Sequence, residues 1–133
     1  MGWNIKSKSA MSGDNIVADT SILINFFNGN EVAERCLAER TIFVSVITEI
    51  ELLCYPGLTN HGRKLIKEFL SECIIIDLEP EIKELIIDIR SKHKIKLPDA
   101  AIAATAMKYD FPLFTMDKGF NKITNLKPVI IEV

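Results

Sequence analysis

Short apolar runs alternate with amphipathic segments along most of this chain. Runs without polar alternation are typical of strands buried on both faces, and they predict strands over residues 15–18, 42–45, 73–77, 113–115 and 129–133. Segments with apolar residues every three or four positions predict helices over residues 21–27, 31–39, 46–53, 61–70, 81–92 and 98–109. Strands that alternate with helices indicate an α/β fold. We therefore expect three α/β/α layers, with a central parallel sheet of about five strands and helices on both faces.

The length of 133 residues suits one domain with its own core. A hydrophobic content of 48% and a charged content of 26% exclude a disordered chain. Residues 1–14 are mostly polar and predict a loosely ordered N-terminal extension, in which Met11 is a second possible start. Residues 15–133 are expected to form a single domain.

The net charge of −2 counts mildly against a nucleic-acid-binding protein, because such proteins are usually basic. The objection weakens if several acidic residues bind metal, since the remaining surface is then closer to neutral. Lysines and arginines do cluster in three short basic runs, over residues 63–67, 92–96 and 118–127. Taken one at a time, each run is interpreted as a solvated face.

Cysteine usage and hydropathy bear on the cellular compartment. The three cysteines, Cys36, Cys54 and Cys73, are an odd number without metal-ligand spacing, and each lies beside apolar residues. We expect buried, reduced thiols and therefore a reducing compartment. No apolar run approaches the length of a membrane span, and the N-terminus lacks the apolar core of a signal peptide. A cytoplasmic protein is predicted.

Four acidic residues lie at separated places where predicted elements begin, end or turn: Asp19, Glu51, Asp99 and Asp117. Carboxylates at the ends of strands in an open α/β sheet can converge on one crevice. Converging carboxylates repel one another unless a cation lies among them. The pattern therefore predicts a divalent-metal site and, with it, phosphate chemistry.

Asp19 and Asp99 each also have a structural interpretation. Asp19 can cap the following helix, although Thr20 and Ser21 are themselves good caps and would free it to point into the crevice. Asp99 follows Pro98 at a helix start, where a negative charge favours the helix dipole. The helix below Asp99 is rich in alanine, so close packing would bring this residue near the sheet.

Glu49 is an alternative to Glu51 as the site residue, and Asp117 can instead be a turn residue. Two residues on a helix are about 200° apart, so Glu49 and Glu51 face opposite ways and only one easily reaches a shared site. Geometry alone does not choose between them. Asp117 opens the tripeptide Asp117-Lys118-Gly119, which is typical of a turn, while Thr115 can offer a hydroxyl to the same site.

Four segments, taken in order, resemble the motifs of PIN-domain ribonucleases: 18–24, ADTSILI; 45–52, SVITEIEL; 97–106, LPDAAIAATA; and 114–120, FTMDKGF. No single segment is specific, but all four in this order in so short a chain are. The second motif, with Thr48 followed by Glu51-Leu52, selects Glu51 rather than Glu49. Small single-domain members of the family are largely VapC-type toxins, which this chain most resembles.

The resemblance implies a metal-dependent endoribonuclease that hydrolyses RNA phosphodiester bonds, as the toxin of a type II toxin–antitoxin pair. It implies that the four acids are catalytic and bind one or two Mg²⁺ or Mn²⁺ ions, and that Ser21 and Thr115 hold water or phosphate. The implied partners are the RNA substrate, a cognate antitoxin and a second copy of the chain in a homodimer. The first and fourth strands would be neighbours, which brings Asp19 and Asp117 together.

Other functions fit this sequence less well. A haloacid-dehalogenase-type phosphatase needs a second Asp two residues after Asp19, where this chain has Ser21. A receiver domain needs paired acids just after the first strand, whereas Gly-Asp-Asn at residues 13–15 precedes it. A PIN nuclease of RNA processing and an inactive PIN-like binding module are the alternatives within the family. An RNase assay and a neighbouring antitoxin gene discriminate among them.

Overall fold

The computed structural model describes residues 14–132, so residues 1–13 of the predicted extension and Val133 lie outside the described residues. The described elements follow one another as β1 Asn15–Ala18, α1 Thr20–Phe27, α2 Glu31–Leu37, β2 Thr41–Ser45, α3 Val46–Leu53, α4 Asn60–Ser71, β3 Ile74–Ile76, α5 Pro80–Lys92, α6 Leu97–Tyr109, β4 Leu113–Thr115, a 3₁₀ helix Lys118–Lys122 and β5 Pro128–Ile130.

Each predicted strand and α-helix is present, with bounds that differ by a few residues. α2 ends at Leu37 instead of 39, since Ala38 is extended with a ψ of 140° and Glu39 has a φ of 64°, neither of which a right-handed helix can contain. β5 ends at Ile130, the residue that pairs with Thr115 at the end of β4. The 3₁₀ helix is not predicted from the sequence, because its apolar content is too low for a periodic signal.

The sheet has five parallel strands in the order β3-β2-β1-β4-β5. From β1 the strands are added toward one edge of the sheet as β2 and β3, and then toward the other edge as β4 and β5. The switch point lies between β1 and β4, which pair directly through Val17–Leu113 and Ala18–Phe114. This confirms that the first and fourth strands are neighbours. The order differs from the 2-1-3-4-5 order of receiver domains, so that alternative is excluded. In open α/β sheets, ligands bind at such a switch point, beyond the carboxyl ends of the strands.

Hydrophobic cores lie on both faces of the sheet, which confirms the three-layer architecture. Val17 and Phe43 contribute to the core under α5 and α6. Ile16 and Ile42, their neighbours along the strands, contribute to the opposite core under α1 to α4. Successive side chains of a strand point to opposite faces, so an uninterrupted apolar run supplies both cores at once. This is why these strands show no polar alternation.

α6 packs closely against the sheet, and this packing positions its first turn. Residues 100–106 of this helix are all buried, and five of them are alanine. Small side chains let the helix backbone approach the sheet, and the first turn, which carries Asp99, is held beside the carboxyl ends of the strands. The expectation that the alanine-rich face brings Asp99 near the sheet agrees with this packing.

The three cysteines are free thiols, but they do not share one environment. Cys73 is buried and Cys36 is half-buried, whereas Cys54 is exposed. The prediction that all three are buried is wrong for Cys54, which caps the carboxyl end of α3 where the chain turns into solvent. Within residues 14–132, none of the helices is long and apolar enough to cross a membrane.

Candidate active site

Asp19 lies at the carboxyl end of β1 and is only 3% exposed. It is the N-cap of α1, because its Oδ1 accepts the backbone N–H of Ile22 at 3.0 Å. The expectation that Thr20 and Ser21 would take over capping is therefore wrong. Asp19 caps the helix itself, and both of its carboxylate oxygens also accept hydrogen bonds from side chains.

Two hydroxyl groups hold the Asp19 carboxylate. Ser21 Oγ donates to Asp19 and lies 2.7 and 2.9 Å from Oδ1 and Oδ2, and Thr115 Oγ1 donates to Oδ2 at 2.5 Å. Each hydroxyl also accepts a backbone N–H from the segment after β4, Ser21 from Met116 at 3.1 Å and Thr115 from Asp117 at 2.9 Å. This network joins the β1–α1 junction to the end of β4. A hydroxyl has one proton to donate, so both protons are committed to Asp19.

Asp99 and Asp117 lie on two walls of one cavity of about 280 Å³. Asp99 is half-buried in the first turn of α6. Asp117 is exposed, and its Oδ1 accepts the backbone N–H of Gly119 at 2.8 Å, which caps the 3₁₀ helix. The turn interpretation of Asp117 is thus confirmed. Its other oxygen, Oδ2, takes no part in the cap.

Glu51 and Glu49 face different surroundings. Glu51 Oε1 accepts a hydrogen bond of 2.6 Å from Thr20 Oγ1, one residue beyond Asp19. Thr20 Oγ1 also lies 3.1 Å from Thr48 Oγ1. Glu49 instead lines a larger cavity of about 660 Å³ at the β3 edge of the sheet, away from the other acids. The fold therefore turns Glu51, and not Glu49, toward the crevice.

Thr20 and Thr48 are site residues that are not predicted from the sequence. Both lie within the segments that resemble PIN motifs, directly beside Asp19 and three residues before Glu51. That position is a usable signal, since one helical turn brings Thr48 and Glu51 to the same face of α3. Their contact across 28 residues of sequence depends on how α1 and α3 pack, which the local pattern does not specify.

The four acids form one electrostatic group. Burial raises the pKa of Asp19, and the charge of Asp117 raises it further, against the hydrogen bonds that favour the ionised form. Burial also raises the pKa of Asp99, and the charges of Asp117 and Glu51 add to that effect. The repulsion that the sequence predicts among converging carboxylates agrees with these directions.

The donor chemistry suits a hard divalent cation, because every donor is an oxygen and most are carboxylate oxygens. As they stand, however, no three Asp, Glu, His or Cys side chains of residues 14–132 are gathered closely enough to hold an ion together. Binding an ion therefore requires the carboxylates to approach one another more closely. Repulsion within the group opposes that approach until a cation is present, since like charges destabilise one another at short range.

Replacing Asp99 by Asn tests whether this group binds Mg²⁺. Millimolar Mg²⁺ should raise the melting temperature of the wild-type protein, because the ion binds only the folded site. At about ten times the dissociation constant the gain is roughly 1.4 kcal/mol, or about 4 °C for a domain of this size. The shift should be lost in Asp99→Asn and kept in Asp88→Asn, which removes an exposed carboxylate on α5. Thermal unfolding followed by circular dichroism measures both.

The difference in stability between Asp99→Asn and the wild-type protein is expected to depend on pH in EDTA. Since the folded-state pKa of Asp99 is raised, the stability linked to this group is present below its ordinary value of 3.8 and is lost as pH rises through the raised pKa. Asparagine does not titrate, so metal-free Asp99→Asn should be more stable than wild type at neutral pH, and the difference should shrink on acidification. A Mg²⁺ shift equal to that of wild type would place the ion elsewhere.

The PIN domain family profile matches residues 16–126, a stretch that contains all four acids. This chain belongs to the PIN-domain family. The resemblance of its four segments to PIN motifs is thereby confirmed at the level of the family. A search of curated proteins finds no significant match.

Several solved PIN-like structures come from toxin–antitoxin complexes. A chain in a toxin–antitoxin complex from Klebsiella pneumoniae is 32% identical with a TM-score of 0.75, covering 84% of this chain and 94% of that chain. A chain of VapBC2 from Rickettsia felis, bound to a DNA fragment from its promoter, is 21% identical with a TM-score of 0.79, covering 89% and 99%. Mycobacterium tuberculosis VapC20, a Sarcin-Ricin loop cleaving toxin, is 15% identical with a TM-score of 0.65, covering 85% and 99%. The latter two show a shared fold.

Proposed function

We propose that this PIN domain is an endoribonuclease that hydrolyses RNA phosphodiester bonds with Mg²⁺ or Mn²⁺ as cofactor. The observation that carries the proposal is the placement of the four acids around the switch point between β1 and β4: Asp19 follows β1, Asp99 and Asp117 line one cavity, and Glu51 is hydrogen-bonded to Thr20 beside Asp19. Membership of the PIN-domain family supports it. The proposed nuclease domain spans residues 15–133, and its free thiols support a reducing, cytoplasmic location.

The proposed metal ligands are the four acids, with Asp19 and Asp99 as the principal ones. A bound divalent cation supplies Lewis-acid chemistry, which lowers the pKa of a water and neutralises charge on the phosphate oxygens. Glu51 would complete the ligand set or orient the attacking water, and Asp117 would be a supporting or second-metal ligand. All four would then be catalytic residues.

The chain's own hydrogen bonds determine what each group can contribute. Thr20 occupies Glu51 Oε1, so Oε2 is the atom available to orient a water or accept its proton. Ser21 and Thr115 direct their protons to Asp19. They hold that carboxylate in one orientation, and Ser21, which is half-buried, can still accept a hydrogen bond from a water beside it. Such preorganised groups need little rearrangement as charge develops on the phosphate.

We further propose that the chain is the toxin of a type II toxin–antitoxin pair. Support comes from the chain that is 32% identical over 84% of the sequence and belongs to a toxin–antitoxin complex. The proposed partners are the RNA substrate, a cognate antitoxin with a segment that covers the acidic crevice, and a second copy of the chain in a homodimer. A PIN nuclease of RNA processing and an inactive binding module are the competing functions.

Expression of the chain alone is expected to arrest bacterial growth, because a free ribonuclease would degrade essential RNA. Asp19→Asn, expressed to the same level, should be harmless. Co-expression of the antitoxin encoded beside the gene should restore growth, and the two proteins should copurify. Growth curves and affinity copurification measure these outcomes. Normal growth during overexpression of a protein that cleaves RNA in vitro would instead support a housekeeping nuclease.

A further inference from the structure

Positive charge lines the cavity that holds two of the acids. Lys94, Lys96 and Lys122 border the same space of about 280 Å³ as Asp99 and Asp117. A volume of this size is close to the lower limit of ligand pockets, roughly 300 Å³. Carboxylates alone would repel an RNA backbone. Lysines that border the same cavity supply the opposite charge beside those carboxylates.

Lys122 is already held in place. Its Nζ donates to the backbone carbonyl of Lys94 at 2.6 Å, and Arg90 Nε donates to the carbonyl of Ile95 at 3.2 Å. These two bonds brace the loop between α5 and α6 from both sides. An ammonium group has three donors, so Lys122 keeps two N–H groups for a ligand. Because the side chain is ordered beforehand, less conformational entropy is lost when it binds.

Three other lysines of these basic runs pair with carboxylates, unlike Lys96 and Lys122 over the described residues. Lys92 pairs with Asp88, Lys118 with Glu132 and Lys127 with Asp110. No ion pair within 4.0 Å involves Lys96 or Lys122 over residues 14–132. Both nevertheless lie near enough to Asp99 for their charges to oppose the rise of its pKa. They therefore face the cavity while remaining available to an anion.

We propose that Lys96 and Lys122 bind a backbone phosphate of the RNA in this cavity, beside the acids Asp99 and Asp117. The inference rests on the proposed ribonuclease function and adds a binding subsite to it. Lysine is a point charge that attracts phosphate without reading base identity, so this subsite anchors RNA independently of sequence. Both residues position the substrate, and neither takes part in the chemical step.

RNA binding measured without hydrolysis tests the subsite. In an Asp19→Asn background with Mg²⁺, fluorescence anisotropy of a short labelled single-stranded RNA should show that Lys96→Gln and Lys122→Gln each raise the dissociation constant roughly fivefold to tenfold. The slope of log affinity against log salt should fall by about 0.7 for each lost phosphate contact. Lys122→Arg should retain most of the affinity. Lys83→Gln, at an exposed position near the opposite end of α5, should bind like its parent.

Cleavage kinetics in the otherwise wild-type protein distinguish binding from chemistry. Both lysine variants should raise KM and leave kcat within about twofold, as expected for an interaction made equally in the ground and transition states. A fall in kcat at constant KM would overturn the subsite, and so would unchanged RNA affinity in both variants. If the wild-type protein bound RNA through these lysines but never cleaved it, the subsite would stand and the proposed ribonuclease function would be rejected. Circular dichroism checks that the Lys122→Gln loop change leaves the fold intact.

Discussion

Asp19→Asn is expected to reduce RNA cleavage by about two to three orders of magnitude, equivalent to roughly 3–4 kcal/mol of transition-state stabilisation. Asp19 is the most buried of the four acids, at 3% exposed, and hydroxyl groups fix its orientation. Removing its charge would weaken the metal site at its least mobile ligand. The initial rate of cleavage of an RNA substrate, with Mg²⁺ and then with EDTA, measures the effect, and EDTA should abolish activity in the wild type.

The fold of this variant should survive the change. Asparagine is as good an N-cap as aspartate, so its Oδ1 can still accept the backbone N–H of Ile22. The hydroxyls of Ser21 and Thr115 can rotate to accept from the new amide. Asp88→Asn, which removes an exposed carboxylate far from the crevice, should keep wild-type activity. Cleavage that persists in EDTA, or in Asp19→Asn, would contradict the metal mechanism.

Glu51→Gln is expected to be nearly inactive, while Glu49→Gln should be nearly wild type. Loss of a catalytic carboxylate should cost several kcal/mol of transition-state stabilisation, hence orders of magnitude in rate. Glutamine at position 51 can still accept the hydrogen bond from Thr20, so the variant removes charge without removing that contact. Glu49 faces the separate cavity beside β3, and its replacement should change stability by at most about 0.5 kcal/mol.

These two variants form a matched pair, since they make the same substitution on one helix two residues apart. Both should show wild-type circular dichroism, and single-turnover cleavage rates should separate them. If Glu49→Gln were the inactive member, the Thr48-Glu51-Leu52 resemblance would have been assigned to the wrong face of α3, and the site would be rebuilt around Glu49.

The positions of the strands and helices could be predicted from the sequence because their signals are local. An apolar run such as Ile16-Val17-Ala18 reports burial on both faces, and the apolar spacing of Ile82, Ile86 and Ile89 reports a helix with one buried face. The same locality explains the errors. The 3₁₀ helix after Asp117 has no periodic apolar pattern, and the left-handed conformation of Glu39 leaves no trace in residue type.

The sequence by itself therefore determined the α/β architecture and predicted the four acids as a set, since strand ends and the order of the motifs can be identified from local residue patterns. Only the tertiary structure decided which groups meet. Thr115 donates to Asp19 from 96 residues away, and Thr20 reaches Glu51 across 31. It also decided that Asp19 combines capping with a place in the crevice, and that Lys122 donates to a backbone carbonyl while Lys118 pairs with Glu132. Such contacts depend on strand order and helix packing, which bring together residues whose local patterns carry no information about one another.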